Sequence, residues 1–256
     1  MWYNQGMSYH PKQTTIFWYD LETFGLDSRY DRIAQFAGQR TDLDLNPIGE
    51  PIVLYCKLSD DYLPDPLSCT ITGITPQEVN KKGMCENDLI ECINAEFSKP
   101  NTVVAGFNTI RFDDEFIRNA LYRNFLDPYK REWENNCSRW DIIDLVRAAY
   151  DLRPDGISWP PRKEETGNPT FRLVALTEAN NIEQIGAHDA LVDVKATIAI
   201  AKLIKEKQPK LYEYYFALRN KTQVKKIVQT PFGEPVLYTA AFFSKNEGCS
   251  RLITAI

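Results

Sequence analysis

The sequence predicts an α/β fold in which a mixed β-sheet is flanked by helices. Two observations carry that reading. Strand-like runs come first, and helical periods follow with one more strand among them. The chain's 256 residues, 43% of them hydrophobic, suffice for one large domain and a small appendage.

The elements follow in order. Thr15 to Asp20 is a run of β-branched and aromatic residues and reads as a buried strand. Glu22 to Asp31, with Gly25, reads as a loop. Ile33 to Arg40 is a second strand, Asn46-Pro47-Ile48-Gly49 a turn, and Pro51 to Lys57 a third strand. This pattern is that of an antiparallel meander. Thr75-Pro76-Gln77-Glu78 then starts a helix: Thr as cap, Pro in the first turn, Glu three residues after the cap. Leu89, Ile93 and Phe97 mark a helix ending near Pro100. Thr102 to Gly106 is a short buried strand, and Asp114 to Phe125 and Trp140 to Tyr150 are helical by period. Arg153 to Pro169 is rich in proline and reads as an ordered loop. Phe171 to Asn181 and Ala187 to Lys207 are helices, the second with an apolar face of Leu191, Val194, Ile198 and Ala201. Another helix follows Pro209 to about Lys221, and Val236 to Phe243 and Ser250 to Ile256 read as strands.

Composition narrows the chemistry. The six cysteines, Cys56, Cys69, Cys85, Cys92, Cys137 and Cys249, show no CxxC spacing, so core thiols in a reducing cytosol are the expectation. No run of about 18 apolar residues exists, which excludes a membrane span of that kind. The N-terminus has no apolar signal core, and the expected location is cytoplasmic. A net charge of −5 counts against a nucleic-acid binder on composition alone. The cations are nevertheless concentrated between Arg111 and Arg153, interleaved with aromatics. Many of those aromatics belong in a core. Trp140 is expected there, whereas Trp133, between two glutamates, is expected at the surface as a base-stacking platform. Lys225-Lys226 reads as a solvated pair. His10 and His188 are the only histidines, which leaves few general bases near neutral pH.

Three acidic segments carry chemistry. Asp20 and Glu22, two apart at a strand end, point to one face. Alone they read equally as a solvated strand end. Asp113-Asp114 opens a helix after a buried strand; Asp113 is expected to face a site and Asp114 to cap the helix. In Ala187-His188-Asp189-Ala190-Leu191-Val192-Asp193, Asp189 is the expected cap. On a continuous helix His188 and Asp193 would be ~140° apart, so convergence needs His188 in the preceding loop. Four carboxylates and one histidine fit a hydrolytic site with two Mg²⁺, since hard cations prefer oxygen ligands and a close pair of ions suits in-line phosphoryl displacement.

The three segments, Asp20-x-Glu22, Asn108-x-x-x-Phe112-Asp113 and His188-x-x-x-x-Asp193, resemble the motifs of the DEDDh 3′→5′ exonucleases, which have a ribonuclease H-like fold. The resemblance is closer still to the bacterial exonuclease I branch, through strings such as Tyr19-Asp20-Leu21-Glu22-Thr23-Phe24-Gly25, Ile71-Thr72-Gly73-Ile74-Thr75-Pro76-Gln77-Glu78, Arg111-Phe112-Asp113-Asp114-Glu115 and Ser138-Arg139-Trp140-Asp141. It covers about Ile16 to Lys221. The resemblance implies a single-strand-specific deoxyribonuclease that releases 5′-mononucleotides and works in DNA repair. It implies Asp20, Glu22, Asp113 and Asp193 as ligands of two Mg²⁺ (Mn²⁺ can substitute) and His188 as general base. It also implies substrate contacts from Glu22, Arg172, Arg118, Tyr129, Trp133, Arg147, Arg153 and Tyr214. The expected organisation is an exonuclease domain over 14–207, then a linker helix and the start of a truncated SH3-like domain over 208–256. The expected partners are a single-stranded DNA 3′ end and single-strand-binding protein, for a monomer without membrane contact. The three motifs alone fit a DEDDh exoribonuclease on short RNA equally well, and a strand-binding module with little activity is the third reading.

Overall fold

A computed structural model describes residues 13–162, 166–184, 186, 189–229, 233–243 and 248–254. Its main sheet has five strands in the order β3-β2-β1-β4-β5. They are β1 (Thr15–Thr23), β2 (Ile33–Thr41), β3 (Ile52–Tyr55), β4 (Thr102–Gly106) and β5 (Ser138–Asp141). β1, β2 and β3 form the expected antiparallel meander, and β4 and β5 add in parallel to β1. The helices are α1 (Pro66–Thr72), α2 (Pro76–Lys82), α3 (Glu86–Phe97), α4 (Asp113–Arg123), α5 (Ile142–Leu152), α6 (Leu173–Ala179), α7 (Ala190–Lys207), α8 (Pro209–Leu218) and α9 (Lys221–Val228). The mixed α/β architecture is the predicted one.

Strand parity decides which side chains meet which helices. Phe17, Tyr19 and Leu21 of β1 join Phe36 and pack against α3 and α4 through Leu89, Ile93, Phe97, Phe116 and Ile117. Ile16 and Trp18 face the other way, against α5 and α7, with Leu145, Val146, Val194 and Ala201. Asp20 and Glu22 share the parity of Ile16 and Trp18, so they project from the α7 side of the sheet. Both sides of β1 and β2 are covered, which is why both strands are buried along almost their whole length.

Several local expectations change. β1 runs to Thr23, because pairing with β2 continues to Thr23↔Ile33 through a register shift. Trp140 lies on β5, not on a helix; Asp141 caps α5, whose first residue is Ile142. Trp140 is in the core, stacked edge-on with Tyr212 and Phe216. The helix expected from Pro209 to Lys221 breaks at Arg219-Asn220, where Asn220 caps α9. Cys56, Cys137 and Cys249 are buried, whereas Cys85 is exposed. The remaining strands, β6 (Pro235–Thr239) and β7 (Ser250–Thr254), pair antiparallel as a separate sheet. They attach to α5 and α8 through the bond from the Cys249 amide to Asp151 (2.7 Å) and through Tyr215 Oη and Thr239 Oγ1 (2.8 Å). Among the described residues no helix is long and apolar enough to cross a membrane.

Candidate active site

The site forms where β1 outruns its parallel neighbour. β4 pairs with β1 only through Trp18, and β1 continues five residues further. Along that free edge the Leu21 amide, which has lost its ladder partner, donates to the carboxylate of Asp113 (3.2 Å). Asp113 reaches it from the first turn of α4. From the other side α7 brings Asp193, in its own first turn, onto the face that carries Asp20 and Glu22. Asp189 caps α7 as expected, accepting from the Leu191 and Val192 amides (3.0 and 3.3 Å).

Asp20, Glu22 and Asp193 each present a carboxylate oxygen, and these atoms all lie within 4.8 Å of one another. The charges acting most strongly on Asp20 are all carboxylates: Asp113, Asp193, Glu22 and Asp189. Burial first, and then those neighbours, hold the Asp20 carboxyl well above its ordinary range. Glu22 is pushed up to about 8 by burial and then by Asp193, Asp113 and Asp189. Asp113 is likewise raised, chiefly by burial. This donor set fits divalent cations: all oxygen, anionic, clustered and without a compensating cation among the dominant charges. Asp113 lies outside the trio of closest oxygens, tied to the β1 backbone beside it.

Asp114 does not cap the helix. Phe112 occupies the cap position without a side-chain bond, and Asp114 is buried in the first turn. Its oxygens accept from Tyr19 Oη (2.9 Å), Arg131 Nη2 (2.8 Å) and Arg139 Nη1 (2.7 Å). Burial would raise this carboxyl, but the two arginines overcome it and hold it below the ordinary range.

Two further residues shape the site without a motif to announce them. Gln184 donates to Asp193 Oδ1 (2.6 Å) while its own oxygen bonds Thr177 Oγ1 (2.6 Å). Asp141 accepts from the amides of Asn108 (2.8 Å), Ile110 (3.2 Å) and Ile143 (3.0 Å), so one carboxylate caps α5 and folds the loop that leads to Asp113. Asn108 takes the left-handed conformation, φ 64°, that this turn requires. Asp141 was visible only as part of a family string, and nothing local marked Gln184.

A cleft of about 680 Å³ opens on two of the trio, Asp20 and Asp193, and is also lined by Arg147, Arg172, Asn108 and Phe171. Arg147 bonds Asp144 (2.6 Å), while its buried Nε has no protein partner. The other expected substrate contacts lie elsewhere. Arg118 stacks over Tyr129 (5.1 Å) and is ion-paired with Glu115 and Glu132 (2.8 Å to the latter). Trp133, 65% exposed, lines a separate hollow with Arg219 and Lys221. Tyr214 is half exposed beside an apolar groove between α8, α9 and β6, and Arg153 is exposed. His188 lies outside the described residues.

Comparison with known proteins identifies relatives of the whole described fold. The exonuclease family RNase T matches residues 17–201. Exodeoxyribonuclease I of Haemophilus influenzae is 53% identical over 93% of this chain and 50% of its own length. Exonuclease I of Escherichia coli in complex with a dA16 oligonucleotide superimposes with a TM-score of 0.91 at 48% identity, covering 94% of this chain and 51% of that one. The zinc-bound E. coli enzyme with single-stranded DNA gives a TM-score of 0.90 at 47% identity, over 95% and 51%. The chain spans about half the length of the curated relatives it matches. With that family matched over more than half of its residues, the chain belongs to the RNase T exonuclease family.

Proposed function

We propose that the chain is a 3′→5′ exodeoxyribonuclease that hydrolyses single-stranded DNA to 5′-mononucleotides with two Mg²⁺, for which Mn²⁺ can substitute. The observation that carries this is the convergence of Asp20, Glu22 and Asp193, with ligand atoms within 4.8 Å, beside a cleft that Asp20 and Asp193 line together with Arg147 and Arg172. The three carboxylates would hold the metal, with Asp113 beside them. When bound, divalent ions activate water and offset the charge that develops on the scissile phosphate. The side chains do the rest. Arg147 and Arg172 offer N–H donors to backbone phosphates from the cleft wall. His188 takes the proton of the attacking water. Tyr129, Trp133 and Tyr214 present exposed rings to bases, while Arg153, exposed and bonded to the Leu152 carbonyl, would meet a phosphate. Arg118, already neutralised by two glutamates, braces the Tyr129 ring. Relatives solved with single-stranded oligonucleotides support DNA over RNA as substrate.

Residues 14–207 would hold the chemistry, with 208–256 as a linker, made of α8 and α9, and an SH3-like segment. We place the enzyme in the cytoplasm, where six unpaired thiols are stable, as a monomer that meets single-strand-binding protein on its substrate.

Digestion of 5′-labelled single-stranded DNA, duplex DNA and RNA, with Mg²⁺ and with chelator, tests the proposal. A metal-dependent ladder from single-stranded DNA alone is expected. A ladder mainly from RNA, or binding without cleavage, overturns it. His188→Ala should lower turnover by ~10²–10⁴ with unchanged Tm; unchanged turnover removes His188 from the mechanism.

A further inference from the structure

Gln35 is a buried polar side chain, 1% exposed, on a strand whose neighbours are apolar. A buried amide there is costly unless bonded. Register places Gln35 directly opposite Glu22, on the α7 side of the sheet. Its Oε1 accepts from the Ala190 amide (3.1 Å), and its Nε2 donates to Asp189 Oδ2 (3.3 Å) and to Tyr55 Oη (3.0 Å). One side chain thus satisfies an N–H of the first turn of α7 and holds the side chain that caps it. The Asp189 carbonyl in turn accepts from the Asp193 amide (3.1 Å), so the cap and the acidic ligand are one helical turn apart.

We infer that Gln35 is a positioning residue for the acidic trio: it pins the start of α7 to β2 and so sets the distance of Asp193 from Asp20 and Glu22. The inference rests on the proposal that the trio holds divalent metal. Gln35 need not touch metal or DNA. Its effect passes through Asp189 and Ala190 to Asp193. Groups that orient metal ligands in this way typically change metal affinity or activity by ~10–100-fold when lost.

Gln39 supplies the control. It is a second buried glutamine, four residues along the same strand and on the same face, and it bonds the backbone carbonyls of Arg40 (2.9 Å) and Gly49 (3.2 Å) instead. Gln35→Met and Gln39→Met each remove a buried amide at nearly constant volume, and Gln35→Asn is the milder version should Gln35→Met not fold. Two readouts are taken: the Mg²⁺ concentration for half-maximal cleavage, and the Tm gained on adding Mg²⁺ to chelator-treated protein. For Gln35→Met we expect a ~10-fold higher Mg²⁺ requirement, a KM for DNA near wild type, and a reduced Mg²⁺-induced Tm gain. Gln35→Asn should move the same way. Gln39→Met should lower Tm without changing the Mg²⁺ requirement or the Tm gain. Equal Mg²⁺ responses in wild type and both Gln35 variants, or the same shift in Gln39→Met, overturn the inference. A wild type that gains Tm with Mg²⁺ yet cuts nothing overturns the nuclease proposal instead, and the Tm gain of the Gln35 variants still decides this one.

Discussion

Asp113 and Asp114 are consecutive, and both are almost fully buried at the start of α4. Their electrostatics are opposite. Asp114 faces Arg131 and Arg139, which hold its carboxyl below the ordinary range; Asp113 faces Asp114, Asp141 and the acidic trio, and its carboxyl is raised. One residue of helical rotation separates a cluster of paired opposite charges from a frustrated one of like charges. The paired cluster binds β1, α4 and β5 into one unit through Tyr19, Arg131 and Arg139. The frustrated one stores repulsion that a cation would relieve. Burying several carboxylates against one another is a stability cost, which makes functional use the better account of the trio and structural use the better account of Asp114.

The contrast can be broken most sharply at its two centres. Asp20→Ala should drop cleavage to background while the metal-free protein keeps or gains Tm, because like-charge repulsion is relieved. A large loss of metal-free Tm would make Asp20 structural. Asp114→Ala should do the reverse. It leaves Arg131, whose side chain is fully buried, with only Glu132 at 4.0 Å, while Arg139 keeps Glu132 at 3.0 Å, at a cost of ~3–5 kcal/mol in urea unfolding. A destabilisation below about 1 kcal/mol, the scale of an exposed ion pair, would show that the cluster is not holding the fold.

The frustrated side also predicts a pH slope. The Glu22 carboxyl sits at about 8 in the folded, metal-free protein against 4.5 in the open chain. Between those values the native state holds a proton that the unfolded state has released, so metal-free stability falls as pH rises through roughly 4.5 to 8. Asp20 and Asp113, also raised, act in the same direction. Glu22→Gln should flatten the slope in chelator, as read by denaturation at several pH values. A slope unchanged by that substitution contradicts the assignment. The smallest effect is expected away from the clusters. Trp133→Ala should weaken single-strand binding by ~1–3 kcal/mol, the worth of one stacked base, with little change in Tm. An unchanged Kd takes Trp133 off the strand path.

Much of this was legible before the structure. A continuous run of β-branched and aromatic residues located β1, and the two-residue spacing of Asp20 and Glu22 placed them on one face. The Asp189 cap was readable because capping is local. What failed to show was what depends on distant partners. Asp114 looked like a helix cap because Arg131 and Arg139 lie 17 and 25 residues away and carry no spacing signal. Gln184 and Gln35 are ordinary polar residues until the fold sets them beside Asp193 and Asp189. Trp140 was assigned to a helix because a four-residue strand followed at once by an amphipathic helix has no period of its own.

The central claim is that Asp20, Glu22 and Asp193 form a metal site maintained against stability. Its most direct test is the Tm of chelator-treated wild type and Asp20→Asn, each with and without Mg²⁺ at pH 8. The account predicts that wild type gains Tm with Mg²⁺, whereas Asp20→Asn starts higher and gains little. A wild type that ignores Mg²⁺, or an Asp20→Asn protein that starts lower and still responds fully, would contradict it.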